Sequence, residues 1–297
     1  MTDDHLHPKI RAMLALPKAE RILSIKRQSW IGYPRAQEAL TKLQELIEHP
    51  RIHRMPNLMI YGPTNNGKTM IVQRFMRDHP ADDNPDGETS EIPVMVVQMP
   101  FAPEPRRFYR SILDQLFATY RHTDNLSRLE TQVIRLLKTC GLHMLIVDEL
   151  HNIVGARIDQ QRQFLNLIRY LGNELQVPIV CLGLQSALRA IQIDEQLANR
   201  FEPFSLQRWS DGPVFRKLLN SVEATLPLAK RSFMSEDRIA ETIIAMSEGT
   251  IGDALMLIRI AAIRAIETQH EKIDLGILDE CGYLPPSERR RAAERAI

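Results

Sequence analysis

Eight consecutive residues have the composition of a phosphate-binding loop. Residues 62–69 read Gly-Pro-Thr-Asn-Asn-Gly-Lys-Thr and satisfy the pattern G-x-x-x-x-G-K-[ST]. The glycines permit a tight turn in which successive backbone N–H groups face a phosphate. Lys68 is expected to reach the β- and γ-phosphates, and the Thr69 hydroxyl to ligate Mg²⁺. The predicted nucleotide contacts are Gly62, Pro63, Thr64, Asn65, Asn66, Gly67, Lys68, Thr69 and Met70.

A second motif adds the groups that hydrolysis needs. Residues 142–149 form an apolar run, Leu-His-Met-Leu-Ile-Val, that ends in Asp148 and Glu149. Asp148 is expected to hold Mg²⁺ through its water shell. Glu149 is then placed to orient or deprotonate the attacking water. Together with the phosphate loop, this motif predicts an enzyme that hydrolyses a nucleoside triphosphate.

Other candidate residues rest on position alone. Gln185 follows an apolar segment and is expected to sense the γ-phosphate, unless it is an ordinary loop or capping residue. Arg200 stands before the last core strand, where a ring-forming ATPase offers an arginine finger to its neighbour's nucleotide. Arg189 is the second candidate for that role. Ile31 and Gly32 are expected either to line an adenine pocket or simply to pack.

The elements that must position these residues alternate between strands and helices. Near-continuous apolar strands between helices predict an α/β fold whose five-stranded parallel sheet is covered on both faces. Residues 82–88, rich in Asp and turn formers, predict a surface loop. The expected strands are Asn57–Tyr61, Pro93–Met99, His143–Asp148, Pro178–Gly183 and Glu202–Leu206.

After the last strand the pattern becomes helical. Apolar residues at helical spacing predict three helices in residues 213–269, which suggests a small helical lid. The expected organisation is an N-terminal extension (1–29), a nucleotide-binding core (30–207), a helical lid domain (208–275) and a basic C-terminal tail (276–297).

Composition narrows the class of protein. The net charge of +1 argues against a histone-like binder of nucleic acid but leaves room for a local basic patch. No apolar run approaches the roughly 18 residues of a membrane span, and the polar first residues predict no signal peptide. Cys140, Cys181 and Cys281 are widely spaced, which favours free thiols in a reducing compartment. The expected location is the cytoplasm, with no membrane partner.

Several motifs together resemble a known family. A phosphate-loop core with a finger arginine and a helical lid resembles the AAA+ ATPases. The combination is similar to TniB, the ATP-binding transposition protein related to TnsC of bacterial transposons. The segments that carry the resemblance are Trp30-Ile31-Gly32-Tyr33-Pro34-Arg35-Ala36, the phosphate loop, Val147-Asp148-Glu149-Leu150-His151-Asn152 and Ser247-Glu248-Gly249-Thr250-Ile251-Gly252.

The resemblance implies a function. Such bacterial proteins bind ATP, assemble as rings or helical filaments on double-stranded DNA, and connect it to a DDE-type transposase and often a target-selecting partner. ATP hydrolysis disassembles the oligomer. One departure concerns the lid, where many AAA+ proteins carry an arginine about three residues after a glycine. Here Leu255 stands at that distance from Gly252, and Arg259 is a candidate substitute. Slow hydrolysis, stimulated by DNA or a partner, is therefore expected.

The region after the second strand is the expected DNA contact. In related ring ATPases this region faces the central DNA, and phosphate contacts by arginines give affinity without sequence specificity. Arg106, Arg107 and Arg110 are the main candidates and Arg121 is secondary; a solvated basic helix start is the alternative.

Two other functions remain open from the sequence. One is a nucleotide-gated signalling or scaffold protein that does not bind DNA. The other is a replication initiator or helicase loader, which usually adds a DNA-binding domain after the lid. Residues 270–297 are expected to be too short for such a domain.

Overall fold

The computed structural model describes residues 5–27, 30–84, 89–193 and 195–295. The outermost residues of the expected extension and tail, 1–4 and 296–297, lie outside the described residues. So do 28–29, at the end of the extension, and 85–88 of the expected surface loop.

Five parallel strands form one sheet within the described part of the chain, which confirms the predicted α/β class. The spatial order is β2-β3-β4-β1-β5. Strands β3 and β4 are buried along their whole length, as expected for a sheet covered on both faces. The strands are β1 Asn57–Tyr61, β2 Val94–Gln98, β3 Met144–Asp148, β4 Ile179–Gly183 and β5 Phe201–Ser205.

Helices connect the strands and form most of the remaining regular structure. They are α1 Pro8–Arg11, α2 Lys18–Lys26, α3 Pro34–Ile47, α4 Lys68–Asp78, α5 Pro105–Gln115, α6 Leu126–Thr139, α7 Ile158–Leu175, α8 Gln185–Gln192, α9 Glu195–Ala198, α10 Pro213–Glu223, α11 Asp237–Ser247, α12 Ile251–Glu267, α13 Leu275–Glu280 and α14 Pro286–Arg295. Short 3₁₀ turns cover Ala12–Ala15 and Leu150–Gly155. Of these helices, none has the length and apolar character needed to cross a bilayer.

The chain divides into two compact units. The sheet unit comprises Glu38–Pro63 and Lys68–Leu206. The helical unit comprises Met1–Gln37, Thr64–Gly67 and Gln207–Ile297. The central residues of the phosphate loop therefore group with the helical unit, while its flanking residues group with the sheet unit.

In the sheet unit, the strand register brings the predicted chemistry to one end of the sheet. Tyr61 is paired with Gly183, and Val147 with Cys181. The segments that follow β1, β3 and β4 therefore leave the sheet at the same, carboxyl end. A continuous apolar cluster packs on one face of the sheet, with Phe108 and Phe164 in an edge-to-face contact at 5.2 Å.

In the helical unit, helix α2 is fixed by a buried ion pair. Arg21 is only 7% exposed, and its Nη2 donates to the Glu271 carboxylate at 2.5 Å and to the Pro227 carbonyl oxygen at 2.6 Å. Ile25 on the same helix is also buried. The described residues of the expected extension thus pack within the helical unit.

Within the expected basic tail, the last described residues form helix α14. This helix has no buried residue and is joined to the helical unit by polar contacts. The Ser287 N–H donates to the Glu248 carboxylate at 2.6 Å, and Arg289 pairs with Asp253.

We expect Arg21→Ala to destabilise the protein by about 1–3 kcal/mol, because the half-buried Glu271 carboxylate and the Pro227 carbonyl oxygen lose their donor. The exposed Lys26→Ala on the same helix is the control. Chemical denaturation monitored by circular dichroism measures both. Equal stability of the two variants would contradict a structural role for the pair.

The same ion pair gives a pH dependence. Burial raises the pKa of Glu271, but hydrogen bonds from Arg21 and the Ala229 N–H outweigh it, so this pKa lies below its usual 4.5. A lowered folded-state pKa stabilises the protein above the unfolded pKa, and this contribution is lost as the pH falls through the folded value. The stability difference between wild type and Arg21→Ala should therefore shrink on acidification below about pH 4.5.

Candidate nucleotide-binding site

The geometry requires glycine at both glycine positions of the phosphate loop. A Cβ at Gly62 would lie 2.3 Å from the backbone oxygen of Leu206 in the sheet unit. Gly67 has φ +85°, a left-handed conformation that side chains other than glycine rarely adopt. Gly62 also donates its N–H to the Gly183 oxygen at 3.2 Å, which ties the loop to the neighbouring strand.

Lys68 bends back over the loop. Its Nζ donates to the backbone oxygens of Gly62 at 3.0 Å and Pro63 at 2.7 Å. Burial lowers the pKa of Lys68, and the charges of Glu149 and Asp148 partly oppose this effect. The ammonium group is thus held close to both acidic residues. Met70, two residues on, lies half-buried in α4.

Thr69 and Asp148 form a direct contact between α4 and β3. The Thr69 hydroxyl donates to Asp148 Oδ2 at 2.9 Å, and Asp148 is 4% exposed. The second carboxylate oxygen accepts the Glu149 N–H at 2.7 Å. A hydroxyl and a carboxylate oxygen are hard ligands of the kind Mg²⁺ prefers, so the residues present fit this ion. Within the described residues, no group of three or more His, Cys, Asp or Glu side chains forms a metal site.

Glu149 is held in an unusual conformation. Its backbone is left-handed, with φ 58°, and its side chain remains 45% exposed. His151 Nε2 lies 3.1 Å from the Glu149 carboxylate, while His151 Nδ1 is buried without a hydrogen-bond partner. Asn152 donates to the Met99 oxygen at 3.1 Å and fixes the following turn. The carboxylate is thus accessible to water and oriented by the imidazole, as a general base requires.

The other two predicted catalytic residues lie at opposite ends of the sheet. Gln185 is the exposed first residue of α8, so it follows β4 at the carboxyl end with Lys68 and Asp148. Arg200 precedes β5 at the amino end, and its Nη1 donates to Asn173 Oδ1 at 2.8 Å. Arg189 is exposed on α8.

The central residues of the phosphate loop are bound to the start of α12 within the helical unit. The Gly252 N–H donates to the Asn65 backbone oxygen at 2.9 Å, and Asn65 Nδ2 donates to Asp253 Oδ2 at 2.9 Å. The Ile251 N–H donates to Asn66 Oδ1 at 3.3 Å. These bonds set the conformation of the loop between its two glycines.

Asp253 is the centre of this network. It is 5% exposed and also accepts from Thr250 at 2.7 Å, from Tyr283 at 3.3 Å and from Arg289. Burial raises the pKa of Asp253, but hydrogen bonds from Thr250, Asn65 and Arg289 outweigh it and the pKa is lowered. The carboxylate is therefore ionised and joins the phosphate loop to helix α14.

Sequence reasoning missed Asp253, Tyr33 and Trp209. The Tyr33 hydroxyl lies 3.3 Å from the position of a Cβ at Gly67, and its ring meets Trp209 edge-on at 5.0 Å. Burial raises the pKa of Tyr33 to about 12, so the phenol stays protonated. A Gly-Asp pair opening a helix was the available signal for Asp253.

The remaining lid and adenine candidates belong to the helical unit. Ile31 is half-buried and Gly32 exposed, just before α3. Arg259 is half-buried on α12, and burial lowers its pKa. Leu255, where many AAA+ lids carry arginine, is half-buried on the same helix.

The DNA-contact candidates lie on helix α5 and in the segment between α5 and α6, within the sheet unit. Arg106 is exposed, whereas Arg107 pairs with Glu104 at 3.0 Å. Arg110 donates to the His122 oxygen at 2.8 Å. Arg121 lines a polar cavity of about 790 Å³, together with Arg128 and Arg135 of α6.

Solved structures of similar fold define the class. The ORC1 protein of Aeropyrum pernix in complex with DNA matches with a TM-score of 0.62 at 14% identity, over 88% of this chain and 68% of that chain. ORC2 of the same organism, in ADPNP–ADP complexes, matches with a TM-score of 0.59 at 14% identity, over 86% of this chain and 70% of that chain. A variant of RuvB from Thermotoga maritima matches with a TM-score of 0.51 at 15% identity, over 87% of this chain and 72% of that chain. The fold is that of the AAA+ ATPases.

A family model identifies the chain more closely. The model described as bacterial TniB protein matches residues 21–211, which is more than half of the chain. The chain therefore belongs to the TniB family. No curated protein sequence matches it. Family and fold together support an AAA+ ATPase of transposition.

We expect Gly252→Ala to disturb the phosphate loop, because the new Cβ would lie 2.0 Å from Asn65 Oδ1 and 2.6 Å from its backbone oxygen. Overpacking of this kind typically costs about 1–3 kcal/mol. Hydrogen exchange of residues 64–67 should become faster. Gly276→Ala is the control, since the nearest atom to its Cβ is 3.6 Å away. Unchanged exchange in Gly252→Ala would contradict the close packing.

Proposed function

We propose that this protein is an ATP-driven assembly factor for DNA transposition. It binds ATP with Mg²⁺ and assembles on double-stranded target DNA as a homo-oligomeric ring or helical filament. The oligomer recruits a DDE-type transposase, together with a target-selecting protein where the transposon encodes one. Hydrolysis of ATP then disassembles the oligomer and so limits where insertion occurs.

The observation that carries the proposal is the group formed by Lys68, Thr69, Asp148 and Glu149 at the carboxyl end of the sheet. Their contacts support a nucleotide-hydrolysing site, and the TniB family match supports transposition as the process served. The ORC and RuvB structures support the fold alone, since their sequence identity is 14–15%.

Each residue has a defined task in the proposed reaction. Thr69 and Asp148 would hold Mg²⁺, which would neutralise phosphate charge when bound. Lys68 exchanges its loop carbonyls for phosphate oxygens. Glu149 accepts a proton from water as the water oxygen bonds to the γ-phosphorus, and the bond from that phosphorus to the β–γ bridging oxygen breaks to release ADP. Gln185 is proposed to contact the γ-phosphate from the same end of the sheet.

We expect Glu149→Gln to bind ATP normally but to hydrolyse it roughly 10²–10⁴-fold more slowly, because the amide cannot accept the proton. Its oligomers should therefore persist on DNA. Lys68→Ala should lose nucleotide-dependent assembly. Phosphate release and negative-stain microscopy on linear DNA measure the two effects. Glu91→Gln, an exposed site of the same chemical change, is the control.

Two outcomes would contradict these roles. Unchanged hydrolysis by Glu149→Gln would remove that residue as the base. Wild-type protein that binds ATP but neither assembles on DNA nor responds to it would favour the signalling or scaffold function.

The DNA-binding part of the proposal rests on arginines around α5 and α6. Arg106 is solvent-exposed, and Arg121 lines the polar cavity beside two further arginines. Arg107 and Arg110 already contact protein oxygens, so their binding to phosphate would require an exchange of partners. We therefore rank Arg106 and Arg121 above Arg107 and Arg110 as phosphate contacts.

We expect the double variant Arg106→Ala, Arg121→Ala to bind DNA more weakly on all sequences and to lower the slope of log affinity against log salt by about one per lost contact. Fluorescence anisotropy in a salt series measures this slope. Arg77→Ala, an exposed arginine on α4, should leave it unchanged. An unaltered slope in the double variant would place the DNA contact elsewhere.

A further inference from the structure

Three arginines lie together at the amino end of the sheet, around the proposed finger residue. Arg200 immediately precedes β5, and Arg54 precedes β1, the strand with which β5 pairs. The Asn57 N–H donates to the Arg200 oxygen at 2.9 Å, which fixes the two chain segments side by side. Arg169 on α7 completes this arginine cluster, defined as Arg54, Arg169 and Arg200.

The cluster borders an open cavity. Arg54 and Arg200 both line a space of about 790 Å³, together with Gln196, Asn199 and Glu202. The cavity is large enough for several phosphate groups. Among the described residues that line it, the one acidic residue, Glu202, is already paired with Lys42 at 2.6 Å.

The positive charge of the cluster is not balanced. In the described ranges, the three guanidinium groups form no ion pair with a carboxylate; Arg169 donates to Gln196 and Arg200 to Asn173. Burial, followed by the charges of Arg54 and Arg169, lowers the pKa of Arg200, as expected for like charges held close together. An anion bound between these arginines would relieve their mutual repulsion.

The protein's own nucleotide cannot be that anion. The phosphate loop leaves β1 at its carboxyl end, whereas the cluster lies at the amino end of the same strand. The two ends of β1 are four residues apart. At about 3.3 Å per residue, the strand therefore separates the cluster from the phosphate loop by about 13 Å. A nucleotide phosphate bound at the cluster would therefore belong to another molecule.

We propose that Arg54 and Arg169 act with Arg200 as one binding site for the triphosphate of a nucleotide held by a second copy of this chain. This inference rests on the proposed function and extends it, because it adds two residues to the finger arginine. Arginine suits the role, since its planar fork binds phosphate oxygens in pairs and stays charged. Asn173 and Gln196 hold Arg200 and Arg169 by neutral contacts that leave their charge available.

The first test measures self-association without turnover. Sedimentation velocity is run on the full chain with Mg²⁺ and either a non-hydrolysable ATP analogue or ADP. Wild type should associate more strongly with the analogue, because only the analogue offers a γ-phosphate. Arg54→Ala, Arg169→Ala and Arg200→Ala should each weaken this association about tenfold or more, as expected for loss of a charge-assisted contact. Arg162→Ala, exposed on α7 outside the cavity, is the control.

The second test asks whether Arg54 acts across an interface. Arg54→Ala and Lys68→Ala are each expected to hydrolyse ATP slowly. On mixing, about a quarter of random head-to-tail interfaces join an intact phosphate loop to an intact cluster. Mixed samples should therefore regain activity that neither variant shows alone. Arg54→Lys should keep only part of the hydrolysis activity, because lysine retains the positive charge but lacks the planar guanidinium group that binds two phosphate oxygens.

The outcomes separate this inference from the proposed function. In one outcome, Arg200→Ala weakens analogue-dependent association while Arg54→Ala and Arg169→Ala associate as strongly as the control Arg162→Ala. That result would contradict the three-arginine site and leave Arg200 alone as the finger residue. If Arg54→Ala loses DNA affinity but associates normally, the cluster binds DNA and the inference is overturned. Wild type that fails to associate with either nucleotide would contradict the proposed function itself.

Discussion

The parallel direction of the five strands is the constraint that places the candidate site residues. Parallel pairing sends the segments after β1, β3 and β4 to one end of the sheet, so Lys68, Thr69, Asp148 and Glu149 converge without any long-range signal in the sequence. The same pairing sends Arg200 to the other end. The topology thus separates the residues proposed to act on the protein's own nucleotide from residues that cannot reach it.

A second constraint acts on the phosphate loop itself. Its central residues are held by the start of α12, where Gly252 allows backbone contact with Asn65 and Asp253 accepts the Asn65 amide. Asp253 also binds Arg289 of α14, a helix without buried residues. A change in the loop therefore alters the partners of a carboxylate that also secures the end of the described chain.

Local pattern was enough to predict the sheet and the motif residues. The strand at Asn57–Tyr61 is as predicted, and the other four differ by one residue at one or both ends, because continuous apolar runs and flanking turn residues mark them directly. Contacts across the chain could not be predicted. Asn65 and Asp253 are separated by 188 positions, and Arg54 resembles any exposed arginine in sequence. Helix α14 was also missed, since its charged composition is equally typical of an irregular tail.

The positions of the two functional ends restrict how copies can assemble. If the amino end of one sheet meets the nucleotide held at the carboxyl end of another, the two copies contribute different surfaces to their interface. A twofold dimer would need both ends in one self-complementary patch, each meeting the other on the partner, and two ends on opposite sides of a sheet favour a heterologous contact instead. A heterologous contact leaves one free surface of each kind and repeats until it closes into a ring or continues as a helix. The arginine cluster and the phosphate loop, fixed at opposite ends of one sheet, would therefore favour open-ended or cyclic assembly over pairing.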